Sequence, residues 1–85
     1  MSREEALGLM RAVLRQVAPE ADLDDVGPDE SLREALDLDS MDFLNFVIGV
    51  HERTGIEIPE RDYPELASVD GFVGYLVARS GIPAK

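Results

Sequence analysis

The stretch that decides the fold is Leu36-Asp37-Leu38-Asp39-Ser40-Met41-Asp42, where an acidic loop runs into an apolar helix. Asp39 is a favourable N-cap, because its carboxylate can accept the unpaired backbone N–H groups of the first helical turn. Asp42 then falls at the third helical position, where an acid can reach back to the cap as in a capping box. Ser40 is the first helical residue. We expect its hydroxyl to be free of the cap and to point outward at the positive end of the helix dipole, where helices bind phosphate.

The helix that begins at Ser40 is predicted to run to about Thr54 and to carry a wide apolar surface. At about 100° per residue its apolar side chains fall on two adjacent faces. The first face, a predicted core, contains Phe43, Phe46, Val47 and Val50. The second face, nearer Ser40, contains Met41, Leu44 and Ile48. This arc is wider than the usual core stripe, so the helix is either mostly buried or exposes its second face to a partner. The pattern alone favours neither.

Two further long helices flank this one. A capping box formed by Ser2 and Glu5 opens a helix that runs to about Ala18, and Ser68 caps a last helix that ends at Gly81. The apolar stripe of the last helix is predicted to contain Val69, Phe72, Val73, Leu76 and Val77. The residues beyond it, 83–85, are expected to form a free tail.

The connections are less regular. The segment Pro19–Leu38 is polar and long for a loop, with a turn or two expected within Ser31–Leu36. Its expected anchors to the helices are Leu23, Val26, Leu32 and Leu36. Gly55 ends the second long helix, Ile56–Pro59 is extended, and Pro64 limits Arg61–Leu66 to a brief helical turn. The predicted fold is an all-α small bundle of three main helices plus one short helix, with a long loop between helices 1 and 2.

Acidic residues dominate the charge. Eighteen acids face eight bases, for a net charge of −10, and ten acids lie between Glu20 and Asp42 against Arg33 alone. Such a surface repels nucleic acid and anionic lipid, so neither nucleic acid nor membrane is an expected partner. It favours basic partner proteins, although an acidic face kept for solubility explains the composition as well.

The length of 85 residues predicts a single domain, residues 1–85. We also expect a monomer. Cysteine is absent, which excludes disulfides, thiolate metal sites and cysteine nucleophiles. No apolar run approaches the roughly 20 residues of a membrane span, and the N-terminus does not resemble a signal peptide. We expect a cytoplasmic protein.

The sequence supplies little catalytic or metal-binding chemistry. Asp22–Gly27 begins like a calcium loop, but the loop would need an oxygen ligand at Val26 and a bidentate Glu at Arg33. The lone histidine, His51, lies about three turns or roughly 16 Å beyond Ser40, too far for a serine–histidine pair. We therefore expect no enzyme, no catalytic residue and no metal site.

The run Ser31–Asp42 resembles the attachment site of the acyl carrier protein family. Leu36, Asp39 and Ser40 match the leucine, aspartate and modified serine of the family's D-S-L core. The similarity continues through Phe46-Val47, Gly55–Pro59 and Ser68-Val69, in the right order and at the right intervals.

The resemblance implies a 4′-phosphopantetheine arm, joined to Ser40 through a phosphodiester and donated from coenzyme A by a phosphopantetheinyl transferase. Its thiol would carry acyl groups as thioesters to acyl-transferring and condensing enzymes of fatty acid, polyketide or related lipid biosynthesis. Asp39 belongs to the implied cofactor site. The implied docking surface for basic partner enzymes contains Met41, Asp42, Leu44, Ile48 and Glu52.

The sequence departs from the family pattern at several positions. Met41 replaces a leucine and Asp37 replaces a frequent glycine. Pro64 interrupts the short helix at Arg61–Leu66, which is the third helix of the family. Asn45 and His51 stand where housekeeping fatty-acid carriers usually have glutamates. These differences favour a specialised stand-alone carrier. Two alternatives stay open, an unmodified acidic protein-interaction module and a peptidyl (aminoacyl) carrier.

Overall fold

Helices form the ordered framework of residues 1–80, the part of the chain that this computed structural model describes. The α-helices are α1 (Arg3–Val17), α2 (Leu32–Ala35), α3 (Ser40–Thr54) and α4 (Val69–Ser80), and 3-10 helices span Leu23–Asp25 and Glu60–Leu66. The predicted all-α bundle is confirmed, with α2 as the turn expected within the long loop. The predicted end of the last helix at Gly81 and the tail at 83–85 lie outside the described residues.

α1 begins with the predicted capping box. The Glu5 backbone N–H donates to the Ser2 hydroxyl at 3.1 Å, and the Ser2 N–H donates to the Glu5 carboxylate at 2.8 Å. The latter bond stabilises the charged carboxylate, so it lowers the pKa of Glu5. The helix buries one face, formed by Ala6, Met10, Val13 and Leu14, against α3 and α4.

The core is centred on α3. Phe43, Phe46, Val47 and Val50 are all buried, which confirms the predicted core face. The Phe46 ring lies 5.2 Å from the Phe72 ring of α4 between centroids. On the α1 side, a Cβ at Gly49 would lie 2.5 Å from a Val13 methyl carbon, so the absence of a side chain at Gly49 permits the close crossing of these helices.

The long loop is held down by apolar side chains. Leu23 and Leu32 are buried, whereas Val26 and Leu36 are half-buried against the core, as expected of anchors. Leu38 is also buried, which the sequence pattern did not predict. The acidic run that begins like a calcium loop forms a 3-10 helix, whose N-cap Asp22 accepts a hydrogen bond from the Asp24 N–H.

Backbone hydrogen bonds fasten this loop to the start of α4. The Leu32 N–H donates to the Ala67 carbonyl at 2.7 Å, and the Asp70 N–H donates to the Pro28 carbonyl at 2.9 Å. An isolated antiparallel bridge also joins Ser31 to Ser68. The segment that leads to Ser40 is therefore positioned by residues 67–70, which lie far beyond it in the chain.

A brief helical turn was predicted around Pro64, and the structure has a 3-10 helix there, Glu60–Leu66. This helix packs against α4. Four of the five stripe residues predicted for α4 are buried, and Val77 is half-buried. The prediction missed Tyr75, which is also buried and donates a hydrogen bond to Asp62 of the 3-10 helix.

Candidate functional site

Ser40 lies at the surface as the first residue of α3. The preceding residue, Asp39, has the extended backbone of an N-cap, and its carboxylate accepts the Asp42 N–H at 2.8 Å. The predicted cap is thus confirmed. The reciprocal bond from the Asp39 N–H to the Asp42 side chain does not occur among the hydrogen bonds of residues 1–80, so the expected capping box is wrong. The longer reach of a Glu, as at Glu5, explains why that box closes and this one does not.

The Ser40 hydroxyl differs in its bonding from the other serine hydroxyls of the described chain. Those of Ser2, Ser31 and Ser68 accept N–H groups at the starts of helices, and that of Ser80 donates to the Val77 carbonyl. Because Asp39 provides the cap of α3, the Ser40 hydroxyl makes no capping bond. It is therefore available for chemistry that would break a helix cap at Ser2, Ser31 or Ser68.

Arg33 reaches this hydroxyl from α2. Its Nη2–H donates to the Ser40 Oγ at 3.1 Å, and both residues are exposed. Sequence reasoning correctly predicted a hydroxyl free of the cap but missed this guanidinium. The available signal was that Arg33 is the single base among the ten acids of residues 20–42.

The turn between α2 and α3 fixes the separation of Arg33 and Ser40. The Leu38 N–H donates to the Arg33 carbonyl at 2.8 Å, and Asp37 adopts a left-handed backbone with φ 55°. Aspartate tolerates that conformation better than most side chains, which is why the turn forms without the glycine frequent at this position.

The second apolar face of α3 is largely at the surface. Met41 is 63% exposed and Ile48 is 43% exposed, whereas Leu44 is half-buried. The alternative of a mostly buried helix is therefore wrong at Met41 and Ile48, and Leu44 lies at the boundary with the core. Of the acids predicted beside this face, Asp39 and Glu52 are exposed and Asp42 is half-buried.

An open groove of about 300 Å³ adjoins this face between α3 and the 3-10 helix Glu60–Leu66. Its lining is mostly apolar and consists of Val47, Ile48, His51, Glu57, Ile58, Pro59 and Tyr63. Because Ile48 belongs to both, the groove and the exposed face form one continuous apolar surface along α3.

His51 has a structural contact. Its Nδ1–H donates to the Ile56 carbonyl at 2.7 Å and so braces the turn that follows α3 at Gly55. Within residues 1–80, no three His, Cys, Asp or Glu side chains are grouped so that they could hold a metal ion. Over the same residues, no helix combines the length and apolar character needed to cross a membrane.

Comparison with known proteins identifies the family. The family described as "Phosphopantetheine attachment site" matches residues 8–76. The acyl carrier protein of Acidothermus cellulolyticus is 30% identical over 76 residues, which cover 89% of each chain. That of Rubrobacter xylanophilus is 31% identical, covering 91% of this chain and 94% of its own, and that of Streptomyces coelicolor is 28% identical, covering 94% and 87%. The chain belongs to the phosphopantetheine-attachment family, as an acyl carrier protein.

Acyl carrier proteins are carriers and not enzymes, and their cofactor is covalent 4′-phosphopantetheine. The surroundings of Ser40 fit such a phosphate-linked group. The first-turn N–H groups of α3 that the cap leaves unpaired and the guanidinium of Arg33 supply hydrogen-bond donors, and the hydroxyl itself is exposed.

Proposed function

We propose that Ser40 is the attachment residue and that residues 1–85 act as a single carrier domain for acyl groups. The pathway is fatty acid, polyketide or related lipid biosynthesis. The observation that carries the proposal is the state of the Ser40 hydroxyl, which is exposed at the N-terminus of a long helix and makes no capping bond. The Ser40 position also matches the modified serine of the family's D-S-L core.

Attachment uses Ser40 as the nucleophile of a phosphoryl transfer. Its Oγ forms a bond to the pantetheine-bearing phosphorus of coenzyme A, and the bond from that phosphorus to 3′,5′-ADP breaks. The hydroxyl proton leaves to the phosphopantetheinyl transferase or to solvent. When attached, the arm supplies a terminal thiol that carries an acyl group as a thioester.

Asp39 supports this reaction without taking part in it. Its carboxylate is bonded to the Asp42 N–H, which holds the first turn of α3 in shape and fixes the backbone position of Ser40. The acid therefore fixes the point on the backbone from which the Ser40 side chain is presented to the transferase.

Partner enzymes dock on the exposed face of α3. Met41, Leu44 and Ile48 supply apolar area, and Asp42 and Glu52 supply charge that attracts basic surfaces of the transferase and of acyl-transferring and condensing enzymes. The groove beside Ile48 extends the apolar part of this surface. The carrier acts as a monomer, which leaves the face open to each partner in turn.

The pathway is specialised. Asn45 and His51 occupy positions where housekeeping carriers usually have glutamates, so the acidic strip of α3 is thinner than theirs. A partner that recognises it depends more on the apolar side chains and less on charge. Intact mass of the protein from its native host would identify the bound acyl or aminoacyl group and so test this assignment.

The test of attachment is direct. The protein is incubated with coenzyme A, Mg²⁺ and a broad-specificity phosphopantetheinyl transferase, and its intact mass is recorded. We expect one added arm in the wild type and in Ser31→Ala, and none in Ser40→Ala. Addition that persists in Ser40→Ala would disprove the site. A wild type that gains no arm would leave the unmodified interaction module as the better explanation of the exposed α3 face.

A further inference from the structure

Arg33 lies beside the Ser40 oxygen atom to which the phosphate of the arm would be attached. Arg33 Nη2–H already lies within hydrogen-bond distance, 3.1 Å, of the Oγ atom that the attachment reaction esterifies. The phosphorus of the ester is one covalent bond away from that atom. The guanidinium therefore starts within reach of the phosphate oxygens without a movement of the backbone.

The backbone that carries Arg33 is held on both sides. The preceding residue, Leu32, is fully buried and donates its N–H to the Ala67 carbonyl. The Arg33 carbonyl accepts the Leu38 N–H, and Leu38 is itself buried. Only the side chain of Arg33 is thus flexible, and the backbone of Arg33 stays beside the start of α3.

Among the residues that the structure describes, no carboxylate forms an ion pair with Arg33. Within residues 1–80, the ion pairs join Arg3 to Asp70, Arg11 to Asp24 and Arg79 to Asp62. The hydrogen bond of the Arg33 side chain goes to a neutral hydroxyl, although ten acids occupy residues 20–42. A guanidinium has five N–H donors in a planar fork, so most of its donors are left for an anion.

We infer that the Arg33 guanidinium binds the phosphodiester on Ser40 and holds it in one orientation. This inference rests on the proposed attachment at Ser40. A phosphodiester is anionic, and its unesterified oxygens match the planar donor fork of arginine. The pair also offsets the repulsion between the new charge and the acids on either side, Asp37, Asp39 and Asp42. Arg33 is thus a cofactor-binding residue that the sequence pattern of the attachment site does not mark.

The experiment compares apo and arm-bearing forms of the wild type, Arg33→Gln and Arg53→Gln. Arg53 is the matched control because it is exposed, carries the same charge and lies in the last turn of α3, about 20 Å along the axis from Ser40. Attachment is driven to completion and verified by intact mass. The readouts are the ³¹P resonance of the phosphodiester and the change in Tm on attachment, at low salt and at about 0.5 M.

We expect the wild type and Arg53→Gln to share one ³¹P chemical shift and Arg33→Gln to differ from both. In Arg33→Gln, attachment should lower the Tm at low salt by about 2–4 °C more than in the wild type, and added salt should remove the difference. A further measurement uses only the wild-type protein. On attachment, the side-chain N–H resonances of Arg33 should shift and those of Arg53 should not. This last measurement does not require that the Arg33 variant be modified.

Identical ³¹P shifts in Arg33→Gln and the wild type, together with unmoved Arg33 resonances, would overturn the inference while leaving attachment at Ser40 intact. Failure of the wild type to gain an arm at Ser40 would overturn both. The mass spectrum therefore separates the two failures before any resonance is examined.

Discussion

The hydroxyl of buried Tyr75 donates a hydrogen bond of 2.7 Å to the carboxylate of Asp62, which joins α4 to the 3-10 helix Glu60–Leu66. Arg79 contacts the same carboxylate at 3.2 Å and stacks over the Tyr75 ring. Burial disfavours the phenolate and the Asp62 carboxylate adds to this, so the pKa of Tyr75 rises to about 12.

This raised pKa predicts a loss of stability at high pH. The unfolded tyrosine releases its proton near pH 10, so between about pH 10 and 12 the folded state binds more protons than the unfolded state. The contribution is complete below pH 10 and disappears as the pH rises through about 12. Denaturant midpoints measured from pH 8 to 12 should fall over this interval in the wild type. The fall should be smaller in Tyr75→Phe and unchanged in Tyr63→Phe, and an equal fall in all three would refute the assignment.

The core face of α3 and its proposed docking surface should respond differently to truncation. Phe46→Ala removes a fully buried ring that packs on Phe72 and should cost about 3–5 kcal/mol, enough to unfold so small a domain. Met41→Ala removes an exposed side chain and should change stability by no more than about 0.5 kcal/mol. It should nevertheless slow modification or acyl transfer, because it removes apolar area from the enzyme contact.

Denaturation midpoints and transferase rates for these two variants test the division. Leu44→Ala should fall between them in stability, since Leu44 is half-buried. A Met41→Ala protein that is stable and works at full rate with every partner would show that the face is merely exposed. Docking would then depend on Asp39, Asp42 and the preceding loop.

Acidic self-repulsion should limit stability. Of the ten acids between Glu20 and Asp42, Asp24 has an ion-pair partner within the described chain, and the pair is solvent-exposed. The others lie within a few Debye lengths of one another at low salt. Raising the salt to about 0.2 M, or adding millimolar Mg²⁺, should therefore raise the Tm.

Charge reversal identifies the source of this effect. Asp29→Lys places a base within the acidic segment and should reduce the salt dependence, whereas Glu57→Lys, outside the segment, should reduce it less. A Tm indifferent to salt in the wild type would count against self-repulsion as a limit on stability.

Replacement by alanine should have opposite effects on stability at two glycines of α4, Gly71 and Gly74. A Cβ at Gly71 would collide with the Glu65 carbonyl oxygen, whereas a Cβ at Gly74 would have nothing within 4 Å. Gly74→Ala should therefore stabilise the domain by up to about 1 kcal/mol, the gain in helix propensity. Gly71→Ala should destabilise it, because the backbone of the 3-10 helix must move. Thermal unfolding of the two variants decides this, and a shift of the same sign in both would contradict the packing at Gly71.

Much of the fold could be predicted from the sequence because many of its features depend on residues close together in the chain. The cap at Asp39 and the burial of Phe46 follow from first-turn hydrogen bonding and from helical periodicity. The Arg33–Ser40 contact could not be found in this way. It depends on the left-handed backbone at Asp37 and on the conformation of a long side chain, and neither has a periodic signal. Tyr75 was missed because the partners of its hydroxyl, Asp62 and Glu57, come from an earlier segment of the chain.

The backbone bonds between the 28–32 loop and residues 67–70 set an order of events during synthesis. A ribosome makes Ser40 well before Ala67 and Asp70, so the emerging chain displays its serine while the loop in front of it still lacks those partners. The shape that a modifying enzyme would recognise is completed only when the start of α4 has left the exit tunnel. We therefore expect attachment of the arm at Ser40 to follow translation of most of the chain, once the loop before Ser40 has its partners at residues 67–70.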